Sequence, residues 1–260
     1  MKILLTGYKG FIGSHMLKAL NWHSVTTYNW GDREKPSARN FDWVIHMGAI
    51  SSTTEQDVEK ILTQNLDFSI ELYEDCKRYG TNMQYASSAS VYGMGTDFSE
   101  AAKLDPKTGY AWSKYLFERY VKNNPGKNIV QGFRYFNVYA TNGVGEEHKG
   151  SQASPFSQFY QQAKNTGEIR IFENSANYSR DFVPVDQVID THLKFLQVKE
   201  SGIWNIGTGK ATSFLDIAKT FNVPLVEIPM PEILKTSYQK YTCADMTKTN
   251  KTLELLKLDK

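Results

Sequence analysis

The sequence predicts an α/β protein: a doubly wound parallel sheet with one strand unit missing, joined to a smaller mixed α/β lobe. Three observations carry this. Over the first 140 or so residues, short apolar runs alternate with longer stretches of helical period, the pattern of a parallel sheet with crossover helices. A glycine-rich turn, GYKGFIG (7–13), stands directly between the first apolar run and the first helix. After residue 140 the rhythm changes to shorter strands in mixed order.

The elements follow in order. KILLT (2–6) is apolar, too short for a helix and followed by glycine, so it reads as a buried strand. FIGSHMLKAL continues from the glycine turn as a helix, and SVTTYN (24–29) and WVIHMGA (43–49) read as further strands. Between those two lie only the residues NWGDREKPSARNFD. A crossover alone takes ~10–12 residues, so one strand unit of the usual doubly wound sheet is absent here. The stretch from Thr53 has helical period and ends at Gly80. MQYASS (83–88) is a strand, a helix spans about Tyr110 to Lys122, and IVQGFRYFNVY (129–139) reads as one strand. A helix near 155–165, the strands IRIF and RDFVPV, another helix and the strand WNIGTG come next. In ATSFLDIAKTF, Ser213 with Asp216 three residues on makes a capping box. Residues 1–140 are expected to form a nucleotide-binding unit to which some later segments return, and residues 141–260 a smaller substrate lobe.

Composition narrows the function. A net charge of +2 over 260 residues, with no long basic run, points away from nucleic acid and from membrane surfaces. The chain has 40% hydrophobic and 22% charged residues, ordinary for a globular protein. The two cysteines, Cys76 and Cys243, are far apart, which disfavours a disulfide framework or a metal site and fits a reducing cytoplasm. The opening MKILLTG is too short for a signal peptide, and no stretch has transmembrane length.

Three groups of residues carry chemistry. Gly7, Gly10 and Gly13 sit where a strand meets a helix; there the backbone can approach a pyrophosphate seated on the helix N-terminus. The same spacing also suits a tight turn with no ligand. A carboxylate at the end of the second strand would bind the ribose 2′-hydroxyl of NAD, but that place reads Tyr28-Asn29, and Arg33 and Lys35 follow. Two cations without the acid favour NADP, with NAD possible; solvated loop cations are the alternative. Tyr110 and Lys114 in GYAWSKY are four residues apart and project from one helical face. Bringing a tyrosine from ~10 to about 7 takes roughly 4 kcal/mol, which a neighbouring ammonium and a bound nicotinamide cation would supply. Ser88, at the end of the preceding strand, is placed to bond the same substrate oxygen; a surface Tyr/Lys pair is the alternative. Lys149, in EEHKGSQAS (146–154), reads from its own residues as a solvated surface charge.

Over nearly its whole length the chain resembles the extended short-chain dehydrogenase/reductase family (NAD-dependent epimerase/dehydratase family) of nucleotide-sugar enzymes, built on a Rossmann sheet. Within it the likeness is to the ADP-L-glycero-D-manno-heptose 6-epimerases. It rests on HMGAISSTTE (46–55), YASSASVYG (85–93), GFRYFNVYA (132–140), HKGSQAS (148–154), FENSANYSRDFV (172–183), GIWNIGTG (202–209) and SYQKYTCAD (237–245). The resemblance implies an isomerase with bound NADP, acting on ADP-heptose as a cytoplasmic homo-oligomer. It makes Tyr110, Ser88 and Lys114 catalytic, and Lys149 a second base opposite the tyrosine. An epimerase that oxidises a carbinol, rotates the carbonyl and reduces its other face presents oxygen at two positions, each needing a proton acceptor and donor.

Position by position, the resemblance also implies that Ser88, Asn137, Ser151, Phe172, Ser175, Arg180 and Tyr238 contact the sugar nucleotide. Arg180 suits a diphosphate because guanidinium binds phosphate oxygens bidentately; an ion pair with Asp181 is its structural alternative. The cofactor site would comprise Gly7, Gly10, Phe11, Ile12, Gly13, Asn29, Arg33, Ala49, Ser51, Asn65, Lys114 and Val138. Ala140-Thr141-Asn142 replaces the proline-arginine usual in the family, three extra residues lie between Asn137 and Lys149, and the chain ends after LELLKLDK, short of an expected terminal helix. Another sugar-nucleotide epimerase, a reductase or a dehydratase remains open, as does a nucleotide-binding protein without chemistry. Dehydration needs an acidic pair just after the active-site serine, and Ser88-Ala89-Ser90-Val91 has none.

Overall fold

The computed structural model describes residues 1–53, 55–143, 145–146, 149–150, 153–232 and 239–258. Strand β1 (Lys2–Thr6) is buried at every position after the first. An unbroken apolar run fits this because a parallel strand is covered on both faces. The glycine turn leads into α1 (Phe11–Ala19), and β2 (Ser24–Tyr28) pairs parallel with β1. β3 (Trp43–His46) pairs parallel with the opposite side of β1. Residues 29–42, which connect β2 to β3, contain no helix or strand, so β2 is a sheet edge and the missing unit is a feature of the fold.

The helical stretch expected from Thr53 starts later. α2 (Val58–Ile61) begins after Asp57, whose carboxylate accepts from the Lys60 amide at 2.9 Å, a side-chain cap that fixes the start. A π-helical segment, Leu62–Asp67, joins it to α3 (Phe68–Tyr79), and Gly80 closes the helix at φ +70°. β4 (Asn82–Ser88) leads through a short 3-10 turn, Ala89–Tyr92, to α4 (Gly109–Asn123), capped by Thr108.

The single strand expected over 129–139 is two. β5 (Val130–Tyr135) lies in the main sheet, whereas β6 (Asn137–Tyr139) pairs elsewhere. The break falls at Phe136, whose amide donates to the Ile206 carbonyl at 3.0 Å and whose ring packs against Tyr92 and Phe98. Burying that ring turns the chain out of the sheet. Then come α5 (Pro155–Thr166), β7 (Ile169–Phe172), β8 (Ser179–Pro184), α6 (Val185–Phe195), β9 (Gly202–Ile206), β10 (Ala211–Ser213), α7 (Phe214–Lys219), β11 (Leu225–Ile228) and α8 (Thr247–Leu258). Ser213 caps α7 with its hydroxyl bonded to both the amide and the carboxylate of Asp216.

The main sheet has the order β2-β1-β3-β4-β5-β9, all parallel. Its sixth strand thus returns from well beyond residue 140, and α8 covers it: the Trp204 indole donates to Thr252 at 3.0 Å and Thr249 donates to the Asn205 carbonyl at 2.7 Å. A three-stranded sheet, β10-β8-β6, and a two-stranded one, β11-β7, build the second lobe. Strand order reverses at β1, which opens a crevice beyond the carboxyl ends of β1 and β3. No helix among the described residues is long and apolar enough to cross a membrane.

Candidate active site

The glycine turn lies at that crevice. Gly7 has φ +75°, and a Cβ on it would stand 2.4 Å from the Gly48 amide nitrogen, just past β3. A Cβ on Gly13 would stand 2.1 Å from the Gly7 carbonyl oxygen. Both glycines are therefore demanded by backbone packing. Gly10 differs: its φ is −74°, and a Cβ there would meet the Gly7 oxygen at an ordinary 3.4 Å. Among the described residues, packing does not require Gly10 to lack a side chain, and its bare backbone leaves room for a ligand to approach. Gly10 is also the N-cap of α1, has no side-chain cap, and the first turn carries no acid. Uncapped amides at a helix N-terminus fit a phosphate, so the turn suits a dinucleotide.

The ribose end is more crowded than the sequence suggests. The Gly7 amide donates to the Tyr28 carbonyl at 2.8 Å, which ties β2 to the turn. The Asn29 amide donates to the Asp32 carboxylate at 2.7 Å, and Lys9 of the glycine turn lies 3.7 Å from the same carboxylate. An acid is thus present three residues past Asn29. Of the two cations expected to meet a 2′-phosphate, Lys35 pairs with Glu71 at 2.6 Å across exposed surface, and Arg33 is exposed. Ala49 is half-buried and Ser51 exposed just beyond β3. Ile12 and Val138 pack, half-buried, against the apolar cluster around Ile3, Leu5 and Ile45.

Asn65, which the family likeness places in the cofactor site, is tied to the protein by several side-chain hydrogen bonds. It sits in the π-helical segment, buried, and its side chain grips the backbone of Ile50 from both sides, accepting from the amide at 2.8 Å and donating to the carbonyl at 3.0 Å. It also donates to Ser113 at 3.2 Å, which in turn donates to the Tyr110 carbonyl at 2.7 Å. Asn65 therefore aligns the loop after β3 with the first turn of α4.

The Ser–Tyr–Lys group comes together at the ends of β4 and α4. Ser88 is the last residue of β4 and Tyr110 the second of α4, and the Ser88 hydroxyl lies close enough to the Tyr110 phenol to favour its ionised form. Ser90, which the sequence reading passed over, donates its hydroxyl to Ser88 at 3.0 Å. Lys114 is buried, with its ammonium 5.9 Å from the Tyr110 ring centroid and donating to the Ala86 carbonyl at 2.8 Å. Burial drives the Lys114 pKa down to about 8, opposed by the charge of Glu118 one turn on. Tyr110 is shifted upward, not downward: burial raises it and the Ser88 hydroxyl only partly offsets this.

Glu118 itself is missed from sequence, though it stands four residues after Lys114. It is buried, pairs with Arg134 at 2.7 Å, and accepts from Ser87. The pair anchors α4 to β5 beneath the site.

Lys149 reaches the cleft from the other lobe. Its ammonium lies 4.4 Å from the Phe11 ring centroid at the start of α1 and 3.1 Å from the Glu146 carboxylate. The surface lysine read from the sequence is only 22% exposed in its side chain. Phe11 is buried.

The second lobe carries the remaining expected contacts. Asn137 donates to the Asp181 carbonyl at 3.2 Å, Phe172 ends β7, and Ser175 is buried at the start of a short 3-10 turn. Arg180 on β8 donates to the Ser179 carbonyl at 3.0 Å with its guanidinium 5.6 Å from the Phe214 ring. Asp181 is engaged elsewhere: it accepts from Thr208, Gly209 and Ala244. These amide and hydroxyl donors account for its burial without Arg180. Ser151 and Tyr238 lie outside the described residues.

Residues 3–207 match the sequence model of the NAD dependent epimerase/dehydratase family. Among solved structures, the chain is similar to ADP-L-glycero-D-manno-heptose-6-epimerase from Helicobacter pylori, at 25% identity and TM-score 0.84, over 97% of this chain and 90% of that one. It is similar to UDP-glucose 4-epimerase from Thermotoga maritima at 23% identity and TM-score 0.84, over 98% and 93%. It is also similar to UDP-N-acetylglucosamine 4-epimerase from Methanobrevibacter ruminantium at 21% identity and TM-score 0.84, over 96% and 91%.

Proposed function

The chain belongs to the NAD-dependent epimerase/dehydratase family, and from that premise we propose that it is an ADP-glycero-manno-heptose 6-epimerase working by transient oxidation and re-reduction. The observation that carries this reading is the convergence of Ser88, at the end of β4, with Tyr110 and Lys114 on the first turns of α4, and of Lys149 against Phe11 at the start of α1. Gly7, Gly10 and Gly13 would hold the dinucleotide, with the uncapped amides of α1 on its pyrophosphate. A bound nicotinamide supplies a reversible hydride acceptor. Residues 141–260, apart from the segments that return to the main sheet, form the sugar-nucleotide lobe, with Asn137, Ser151, Phe172, Ser175, Arg180 and Tyr238 as its contacts.

The chain's own groups divide the proton work. Tyr110 takes the hydroxyl proton from one epimer, and Ser88 holds that oxygen by hydrogen bond. Lys114, with a pKa of about 8, carries its charge at neutral pH and favours the phenolate over the neutral ring. Lys149 serves the oxygen in its second position, after the carbonyl has turned. NADP is the proposed cofactor, with Arg33 and Lys35 pairing its 2′-phosphate; the Lys35–Glu71 pair is solvent-exposed and weak enough to exchange.

Turnover of both ADP-heptose epimers, with product stereochemistry read by NMR and UDP-glucose as the competing substrate, tests the reading. Interconversion at C6 is expected, with Tyr110→Phe about 10²–10⁴-fold slower. Turnover of UDP-glucose without ADP-heptose would replace the substrate, and a Tyr110→Phe variant within a few-fold of wild type would remove the tyrosine from its role. Calorimetry with NADP and NAD is expected to favour NADP; tighter NAD binding would reverse the cofactor choice.

A further inference from the structure

We propose that Glu146 is a positioning residue that sets the place of Lys149. This rests on the reading of Lys149 as an acid–base group. Glu146 is 1% exposed, and a carboxylate so deeply buried needs donors. Among the described residues these are the Ser154 amide at 3.0 Å, the Ser154 hydroxyl at 2.6 Å and the Lys149 ammonium at 3.1 Å. Two are fixed by a helix. Ser154 is the N-cap of the twelve-residue α5, and its hydroxyl also accepts from the Ser157 amide at 3.3 Å. One hydroxyl thus caps the helix through its lone pair and binds Glu146 through its proton. The carboxylate is further favoured by the positive end of α5.

With two donors held by α5, the third direction of Glu146 points at Lys149. The backbone supports the same arrangement, since the Lys149 amide donates to the Glu146 carbonyl at 2.9 Å and the Ala153 amide to the Gly150 carbonyl at 3.1 Å. On its far side the ammonium rests 4.4 Å from the Phe11 ring centroid, a cation–π contact with the first residue of α1. Gly145, at φ +104°, gives the loop beside this ring a backbone turn that residues with side chains rarely adopt. Lys149 is therefore pinned between a carboxylate held by the N-terminus of α5 and the first residue of α1. A flexible lysine confined in this way is placed before substrate arrives, which is where preorganisation raises rate.

Glu146→Gln keeps the shape and removes the charge; Glu146→Asp keeps the charge and shortens the reach. In the full-length protein with its cofactor, kcat for ADP-heptose epimerisation is expected to fall at least tenfold in Glu146→Gln and less in Glu146→Asp, with KM changed by under threefold. A residue that only fills space would give the opposite order, and that order overturns the proposal. Glu146→Gln added to Lys149→Met is expected to cost nothing further; a full additional tenfold loss means that Glu146 does not act through Lys149. A substrate-free measurement separates this proposal from the functional reading. Amine labelling of Lys149, quantified by mass spectrometry, is expected to rise several-fold in Glu146→Gln, and equal labelling overturns the pairing. Full kcat in Lys149→Met would instead overturn the catalytic reading itself.

Discussion

Lys114 is a charge that the fold tolerates at a cost, and replacing it by methionine is expected to stabilise the protein while disabling it. The ordinary lysine pKa of 10.5 drops to about 8 here, with burial the leading cause. The sign follows from proton counts. Between pH 8 and 10.5 the unfolded chain holds a proton on Lys114 that the folded protein has released, so stability rises with pH through that window. Below it the penalty is constant. The drop corresponds to about 3 kcal/mol at pH 7, of which about 2.5 kcal/mol is relieved by pH 10. Methionine has a similar volume and no charge, but it gives up the donation to the Ala86 carbonyl at 2.8 Å, about 1 kcal/mol. Lys114→Met is therefore expected to gain about 2 kcal/mol at pH 7. Urea unfolding of both proteins at pH 7, 8, 9 and 10 is the assay, and their difference isolates Lys114 from every other titrating group. The two stabilities should converge and then cross as pH rises. Curves that stay parallel to within about 0.5 kcal/mol would refute a depressed lysine at this position. Turnover of the variant should fall by about two decades or more, because the ammonium no longer supports Tyr110.

Two glycines of the turn should separate fold from binding: Gly13→Ala is expected to cost about 1–3 kcal/mol by overpacking, because its Cβ would meet the Gly7 oxygen at 2.1 Å. Gly10→Ala should unfold at the wild-type urea midpoint yet bind the dinucleotide at least tenfold more weakly in calorimetry; unchanged affinity would count against the turn as a phosphate site. Glu118→Gln leaves the Arg134 guanidinium buried without its carboxylate and is expected to lose about 3–5 kcal/mol by urea unfolding. His46 and His192 are buried with pKa values lowered to about 3. The unfolded chain takes up those protons from pH 6.5 downward, so stability should fall by about 2 kcal/mol per histidine between pH 7 and pH 5. A total fall under about 1 kcal/mol would mean that the imidazoles are not held neutral.

By itself the sequence determined the first five strands of the main sheet, the glycine turn and the shared helical face of Tyr110 and Lys114. Each is set by local chemistry: apolar runs covered on both faces, glycines where the backbone must approach itself, and a four-residue spacing on one helix. The short link between β2 and β3 was legible for the same reason, since chain length alone forbids another crossover. Tertiary structure decided what depends on partners distant in sequence. Phe136 breaks an apparently continuous strand because its ring is needed beside Tyr92 and Phe98. Asn65 turns toward Ile50 and Ser113, and Arg180 and Asp181, adjacent in sequence, face different partners. The charges were the least readable feature. Glu118 and Glu146 are ordinary acids in the sequence, and only burial beside Arg134 and Ser154 turns them into fixed counter-charges for the two lysines of the site. A charge acquires its strength from how much water the fold removes around it, and no local pattern encodes that.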